Sequence, residues 1–404
     1  MIVLYKKKKN KKKSNPPISL ITKFKILNLK DRINTKLIEK RKETFLTPKM
    51  KPFITGHEDL VHDVKYDYYG RQLATCSSDL TIKIFVLNPS ANEWELSETF
   101  KAHDSNIVSL DWCAPEFGRL IISGSYDGFV KIWEESSSGK QTSNLLASNK
   151  QAPAKKKGNW QLIAKLSDSK APVFNCKFAP SFLGLKIGII GHDSHLRIYS
   201  CSDASHASTW ELKESYNMIP EGFTQPVAHL QSDYCLDWCK SKFLDETIVC
   251  SCLDLLSFMQ RDPSNGNALK KIVDLYDHGG LIREVSWAPS MGRSYELVAT
   301  ACQDGFVRIF KITGINSLGN TEYEEEEKKE NINEMQKHYT HSHSPNFNVE
   351  LVSKNDDHNA EVWSVAWNLT GTILSSSGDD GKIRLWKQSH MGDYKCVSVV
   401  TPDE

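Results

Sequence analysis

Over much of the chain, apolar residues alternate with polar ones in short runs, the two-residue period of a strand with one buried face. Five runs share a single pattern: Asp79-Leu-Thr-Ile-Lys-Ile-Phe85, Asp127-Gly-Phe-Val-Lys-Ile-Trp133, Asp193-Ser-His-Leu-Arg-Ile-Tyr199, Asp304-Gly-Phe-Val-Arg-Ile-Phe310 and Asp380-Gly-Lys-Ile-Arg-Leu-Trp386. Each places a Lys or Arg four positions after the Asp and an aromatic six positions after it. In four of them an Asp-Gly or Asp-Ser start supplies a tight turn into the strand.

A second strand precedes each of these. Val64-Lys-Tyr66, Leu110-Asp-Trp112, Cys176-Lys-Phe178, Leu236-Asp-Trp238, Val285-Ser-Trp287 and Val365-Ala-Trp367 repeat apolar-x-aromatic, which makes six copies. The fourth copy is degenerate: Asp254 would serve as its turn residue, and its strand lacks both the base and the terminal aromatic. Gly-containing turns and short Leu/Ile/Ser/Thr/Cys runs lie between, so each copy reads as three strands followed by a looser fourth. A four-stranded sheet with two apolar faces cannot bury itself alone, and radial stacking solves this while leaving short edges. The predicted fold is all-β, a β-propeller with six blades from this chain. Residues 1–52 are expected to form a basic, disordered extension, and residues 53–404 the propeller. Polar loops near 136–158 and 319–344 are expected to be disordered.

Charge sharpens this division. The 404 residues carry a net charge of +1, but residues 1–50 hold 14 Lys and 2 Arg against three acidic residues, a net +13 that leaves −12 for the rest. An acidic body with one basic tail is not a nucleic-acid-binding surface. The lysine runs at 6–9 and 11–13 fit a nuclear-import signal, a solvated tail, or sequence upstream of a start at Met50. No window approaches eighteen consecutive apolar residues, so no membrane span is expected, and the order of charge and apolarity at the N-terminus does not fit a secretory signal. The ten cysteines form no CxxC pair. They read as buried, reduced thiols, which points to cytosol or nucleus. His341-Ser-His343 has the spacing of a metal pair but reads as part of a solvated loop; no metal or cofactor is expected.

The repeat resembles the WD40 family over residues 53–400. His57, His103, His278 and His358 stand where that family places a Gly-His element, and Asp79, Asp127, Asp193, Asp304 and Asp380 match its turn Asp. Trp133 and Trp386 match its strand-ending Trp. The resemblance implies that these residues lock each blade through hydrogen bonds. Acid–base chemistry by a His and an Asp is the alternative, but a site repeated in blade after blade argues for structure.

A closer likeness lies within that family. Gly56-His-Glu-Asp-Leu-Val-His-Asp63 and Tyr69-Gly-Arg-Gln-Leu-Ala-Thr-Cys-Ser-Ser-Asp79 are similar to two related propellers, the Seh-type nucleoporins and Sec-thirteen. Pro115-Glu-Phe-Gly118, Lys177-Phe-Ala-Pro180, Ser208-Thr-Trp-Glu-Leu212, Met291-Gly-Arg-Ser-Tyr295 and the stretch from Asp357-His-Asn359 to Tyr394-Lys-Cys396 resemble the Seh type. This resemblance implies a non-enzymatic scaffold of the nuclear pore Y complex at the nuclear envelope, active in protein and mRNA transport. It implies an open ring completed by a blade from an α-solenoid nucleoporin, alongside other Y-complex subunits. It also implies reuse in a GATOR/SEA-type nutrient-signalling complex at a lysosomal or vacuolar membrane. On that geometry the partner-blade groove is expected at Val61, Val64, Tyr66, Val362, Trp363 and Val365. A Sec-thirteen-like vesicle-coat subunit and a general WD40 peptide-binding adaptor are the alternatives.

Overall fold

The computed structural model describes residues 53–90, 93–136, 159–203, 207–219, 233–262, 268–313, 340–342 and 347–401. It is all-β, apart from two single 3-10 turns. Blade 1 contains β1 (Val61–Tyr66), β2 (Gln72–Ser77), β3 (Thr81–Asn88) and β4 (Glu93–Lys101). Blade 2 contains β5 (Ile107–Trp112), β6 (Leu120–Ser125), β7 (Val130–Glu135) and β8 (Trp160–Leu166). Blade 3 contains β9 (Val173–Phe178), β10 (Lys186–Gly191), β11 (His195–Cys201) and β12 (Trp210–Asn217). Blade 4 contains β13 (Tyr234–Trp238), β14 (Thr247–Cys252), β15 (Leu255–Asp262) and β16 (Ala268–Leu275). Blade 5 contains β17 (Ile282–Trp287), β18 (Glu296–Cys302), β19 (Val307–Thr313) and β21 (Asn348–Asn355), with the short β20 (Thr340–Ser342) preceding its last strand. Blade 6 contains β22 (Val362–Trp367), β23 (Ile373–Gly378), β24 (Ile383–Gln388) and β25 (Tyr394–Val400).

Every blade is an antiparallel meander, and the inner strands pack in the order β1, β5, β9, β13, β17, β22. The sequence signals map onto the hairpins directly. The residue after each turn Asp takes a left-handed conformation, as glycine at Gly128, Gly305 and Gly381 but as Leu80 in blade 1 and Ser194 in blade 3. Gly128 has a second reason to lack a side chain: a Cβ would come within 3.3 Å of the Ser169 and Ala171 carbonyls of blade 3.

Two expectations change. Blade 4, though its motif is degenerate, has all four strands, and Asp254 is not its turn Asp. Residues paired across the equivalent hairpin are eight apart in blade 1 (Thr75 with Lys83) and seven apart in blade 4 (Cys250 with Ser257). The shorter turn puts Leu253 at positive φ and leaves Asp254 beyond it. Met259 stands in the aromatic's place, fully buried, and Ser257 replaces the base by bonding Asp274 at 2.6 Å. The expected loop 319–344 also ends too late, because Thr340–Ser342 pairs with β16 as a fifth strand of blade 4. The rest of that loop, and 137–158 of the other, lies outside the described residues.

Apolar clusters fill the spaces between neighbouring blades. Five of them join blades 1–2, 2–3, 3–4, 4–5 and 5–6. The sixth (Val61, Val64, Leu73, Phe85 and Trp94, flanked by Phe53, Tyr66 and Leu87) belongs to blade 1 alone. Among the described residues no cluster joins blade 6 to blade 1.

Candidate functional site

The turn Asp and the upstream His meet in three blades. His57 Nδ1 lies 2.7 Å from Asp79, and its Nε2 lies 2.8 Å from the Thr75 hydroxyl. His103 repeats this with Asp127 at 2.9 Å and Ser123 at 2.8 Å, and His358 with Asp380 at 3.0 Å and Ser376 at 2.6 Å. In blades 2 and 6 the strand-ending Trp closes the network: Trp133 donates to Ser123 at 2.9 Å and Trp386 to Ser376 at 2.8 Å. The base in the run explains the remaining variation. Lys83 and Lys131 reach past the Asp to the Gly56 and Ala102 carbonyls at 2.6 and 2.7 Å. The forked guanidinium of Arg197, Arg308 or Arg384 grips the turn Asp itself.

Blades 3 and 5 depart from the pattern. Asp193 is held by Arg197 and the His195 amide, and the His195 ring lies 2.7 Å from its backbone carbonyl. In blade 5, Arg308 takes Asp304, and His278 keeps only Thr300 at 3.0 Å. Its buried Nδ1 has no partner among the described residues. Burial and the neighbouring Arg308 charge push His278 down to about 3.

An Asp, a His and a Ser in hydrogen-bonded sequence is the geometry of a hydrolytic triad. Here the hydroxyl is inaccessible: Ser123 is 0% exposed, and the indole of Trp133 donates to it. A nucleophile must meet its substrate, and this hydroxyl is sealed inside the blade. Asp127→Ala and Asp380→Ala are each expected to lower stability by about 1–3 kcal/mol through an orphaned buried partner. Urea unfolding measures this, and a variant that unfolds like the parent would contradict the locking role.

A cavity of about 350 Å³ is lined in part by Trp112, Phe178 and Trp238. Its charges are engaged: Lys177 and Lys240 both lie 3.3 Å from Asp237, and Asp111 and Glu284 accept the Phe178 and Val365 backbone N–H groups. Burial pushes its one thiol, Cys113, up to about 12, the opposite of an activated nucleophile. All ten cysteines are free, and all but the half-buried Cys396 are buried. Among the described residues no cluster of three or more His, Cys, Asp or Glu is placed to hold a metal.

A second set of residues, missed in the sequence, staples blade to blade. Inner-strand carboxylates accept a backbone N–H from the next blade: Asp63 from Leu110 at 3.0 Å, Asp111 from Phe178 at 2.9 Å, Asp237 from Trp287 at 2.7 Å, and Glu284 from Val365 at 3.1 Å. Between blades 3 and 4 the Lys177–Asp237 pair takes this role. The corresponding positions of β22 are Ser364 and Ala366, neither a carboxylate. Blade 6 therefore has no such staple to offer to blade 1.

The expected groove residues divide. Val61, Val64 and Tyr66 lie on the seam side of blade 1, in or against its private cluster. Val362 and Val365 do not face the seam: both are buried against Ala299, Ala301 and Trp386 between blades 5 and 6. Trp363 also turns to blade 5, with the Arg283 guanidinium 4.4 Å from its ring and its indole on Asp379 at 2.6 Å. The cause is direction: these inner-strand positions turn to the preceding blade, Ile107 and Leu110 to blade 1 and Ile282 and Val285 to blade 4, so on blade 6 they meet blade 5 and on blade 1 the seam. On blade 6 the seam side is opposite Leu374 and Trp386. Alternation gives it to Ser375, Ser377, Ile383 and Leu385, which pair as Ser375–Leu385 and Ser377–Ile383. The buried Ser377 hydroxyl has no partner among the described residues.

Comparison with known proteins agrees with this architecture. The model of the WD domain, G-beta repeat, matches residues 49–85, 94–134 and 350–387. The chain is 43% identical to Nucleoporin SEH1 of Saccharomyces cerevisiae, across 88% of this chain and 100% of the yeast protein. It is 36% identical to Nucleoporin seh1 of Schizosaccharomyces pombe (86% and 95%) and 29% identical to human Nucleoporin SEH1 (85% and 86%). With the propeller, its locks and this likeness running the length of the relatives, the chain belongs to the SEH1 family of WD-repeat nucleoporins.

Proposed function

We propose that this protein is a scaffold subunit of the nuclear pore, without enzymatic activity, whose ring is open between blades 6 and 1. Strands from an α-solenoid nucleoporin of the Y complex fill the opening. The observation that carries this is the seam. Five junctions have an apolar cluster in common, while blade 1 keeps its own and blade 6 turns Ser375, Ser377, Ile383 and Leu385 towards the opening without sharing that cluster. An inner strand added there would pack on the half-buried Tyr66 and Leu87 beside that cluster and give Ser377 a hydrogen-bonding partner. The relatives' name supplies the assembly. The location follows from it: the pore at the nuclear envelope. The same seam would serve a GATOR/SEA-type complex at a lysosomal or vacuolar surface. No helix among the described residues is long and apolar enough to cross a membrane, so attachment there would run through partners.

The test is affinity purification of the tagged full chain from its own cells, with quantitative mass spectrometry. A pore solenoid at near-equal stoichiometry is the expected result. A vesicle-coat solenoid in its place, or an assortment of unrelated peptide-bearing ligands, would overturn the proposal.

A further inference from the structure

The stretch Met291–Tyr295, which lies between β17 and β18, enters neither the His–Asp networks nor the carboxylate staples. It borders a groove between blades 4 and 5, about 400 Å³ in volume, with Arg293 and Tyr295 in its lining. The β13–β14 loop supplies the other wall, including Lys240, Lys242 and Phe243. Leu244 of that loop packs on the core between the two blades, while its neighbour Phe243 is 90% exposed.

The charge of this groove is one-sided. Arg293 Nη1 and Nη2 donate to the Gly371 and Pro289 carbonyls at 2.9 and 2.8 Å, both neutral acceptors. Its buried Nε has no partner among the described residues. Lys242 is exposed and forms no ion pair among the described residues. Lys240 divides itself between Asp237 at 3.3 Å and the Trp287 carbonyl at 2.7 Å. Lys311 adds a further cation, 5.0 Å from the Tyr295 ring. The one carboxyl in the lining, Glu296, is buried and accepts the Trp287 indole N–H at 3.1 Å. Burial raises it towards its neutral form. A concave site with several cations and little negative charge, beside an exposed ring, complements a segment that offers carboxylates and an apolar side chain.

We infer that the groove between blades 4 and 5 binds an acidic, extended segment of a partner protein, whose carboxylates meet Lys242 and Arg293 and whose apolar residue covers Phe243. Arg293 is already fixed by its two carbonyls, so it loses little side-chain freedom on binding. The groove lies two junctions from the seam, and the inference does not depend on the ring being open.

A library of random peptides of about twelve residues, displayed on phage and panned against the free full chain, tests this, followed by titration of the selected peptides. The selected peptides are expected to be rich in Asp and Glu around one aromatic or aliphatic residue. Lys242→Glu should weaken them at least about tenfold and Phe243→Ala about fivefold. Neither change should move the melting temperature, since both side chains are exposed. Lys382→Glu makes the same change in net charge in the β23–β24 turn, on the other face of the ring, and should leave affinity unchanged. Equal losses in Lys242→Glu and Lys382→Glu would show net charge alone at work and would overturn the site. A library that yields no acidic peptide sensitive to Lys242→Glu would overturn it as well. If phosphatidylserine vesicles bind the chain through Lys242 and Phe243 while no peptide does, the groove is a lipid-facing surface and the peptide inference is wrong.

Discussion

Val362→Asp is expected to destabilise the free chain by roughly 3–5 kcal/mol, the scale of an uncompensated buried charge. Leu385→Asp, on the same blade, should barely change its melting. The difference lies in direction. Val362 is 0% exposed and packed among Ala299, Ala301 and Trp386, so its carboxylate would have neither water nor a cation. Leu385 is half-buried and faces the seam. In the complex the order reverses. Leu385→Asp should weaken partner binding by about 2 kcal/mol, roughly thirtyfold, because an inner strand would bury the new charge. Thermal melting of the two free variants, followed by titration with the partner, separates the effects. Equal melting of both variants would show that blade 6 faces its neighbours otherwise than described.

Acid should unfold this propeller in two stages. Burial holds His103, His278 and His358 below the ordinary histidine value, His278 to about 3. The unfolded chain binds those protons more readily, so stability is complete above about pH 6.5 and falls as pH drops towards 3. His278 alone should cost on the order of 3 kcal/mol by pH 4. The turn carboxylates act lower. Burial raises Asp127, but hydrogen bonds from His103 and backbone amides outweigh it and hold the carboxyl at about 2. Asp79, Asp304 and Asp380 are likewise held low, through His57, through Arg308, and through Arg384 with His358. Their contribution is present above about pH 4 and is lost as pH falls through 2. Denaturation midpoints from pH 7.5 to 3 check the curve. His278→Gln, which takes up no proton, should flatten the stretch between pH 6.5 and 4. An unchanged slope in that variant would remove His278 from the account.

The blades and locks were legible because alternation, a turn Asp, a fixed base and an aromatic recur at constant spacing, and each has a local cause. Three things were hidden. The fourth blade's shorter hairpin moved its turn by one residue, so Asp254 looked like a turn Asp, while Cys250 opposite Ser257 carried no signal. The staples Asp63, Asp111, Asp237 and Glu284 occur at two different positions of the inner strand, which gives no single spacing to read. The groove failed on blade 6 for a geometric reason. A strand's period assigns residues to two faces but does not say which neighbour each face meets, and the face of Val362 and Val365 meets the preceding blade, as that of Ile107 and Leu110 does in blade 2. Ser375 and Ser377, which face the seam, looked like ordinary small strand residues.

The central claim is that the ring is closed by another chain. Hydrogen exchange across β1 (Val61–Tyr66) and β22 (Val362–Trp367), measured on the free protein and on its isolated complex, tests this most directly. An open ring predicts that both inner strands, and Ser375–Ser377 beside them, exchange faster in the free protein and become protected together on binding, while β9 and β13 on the far side do not change. Equal protection of β1 and β22 in the two samples would mean that six blades close on themselves, and the partner blade would have no place to enter.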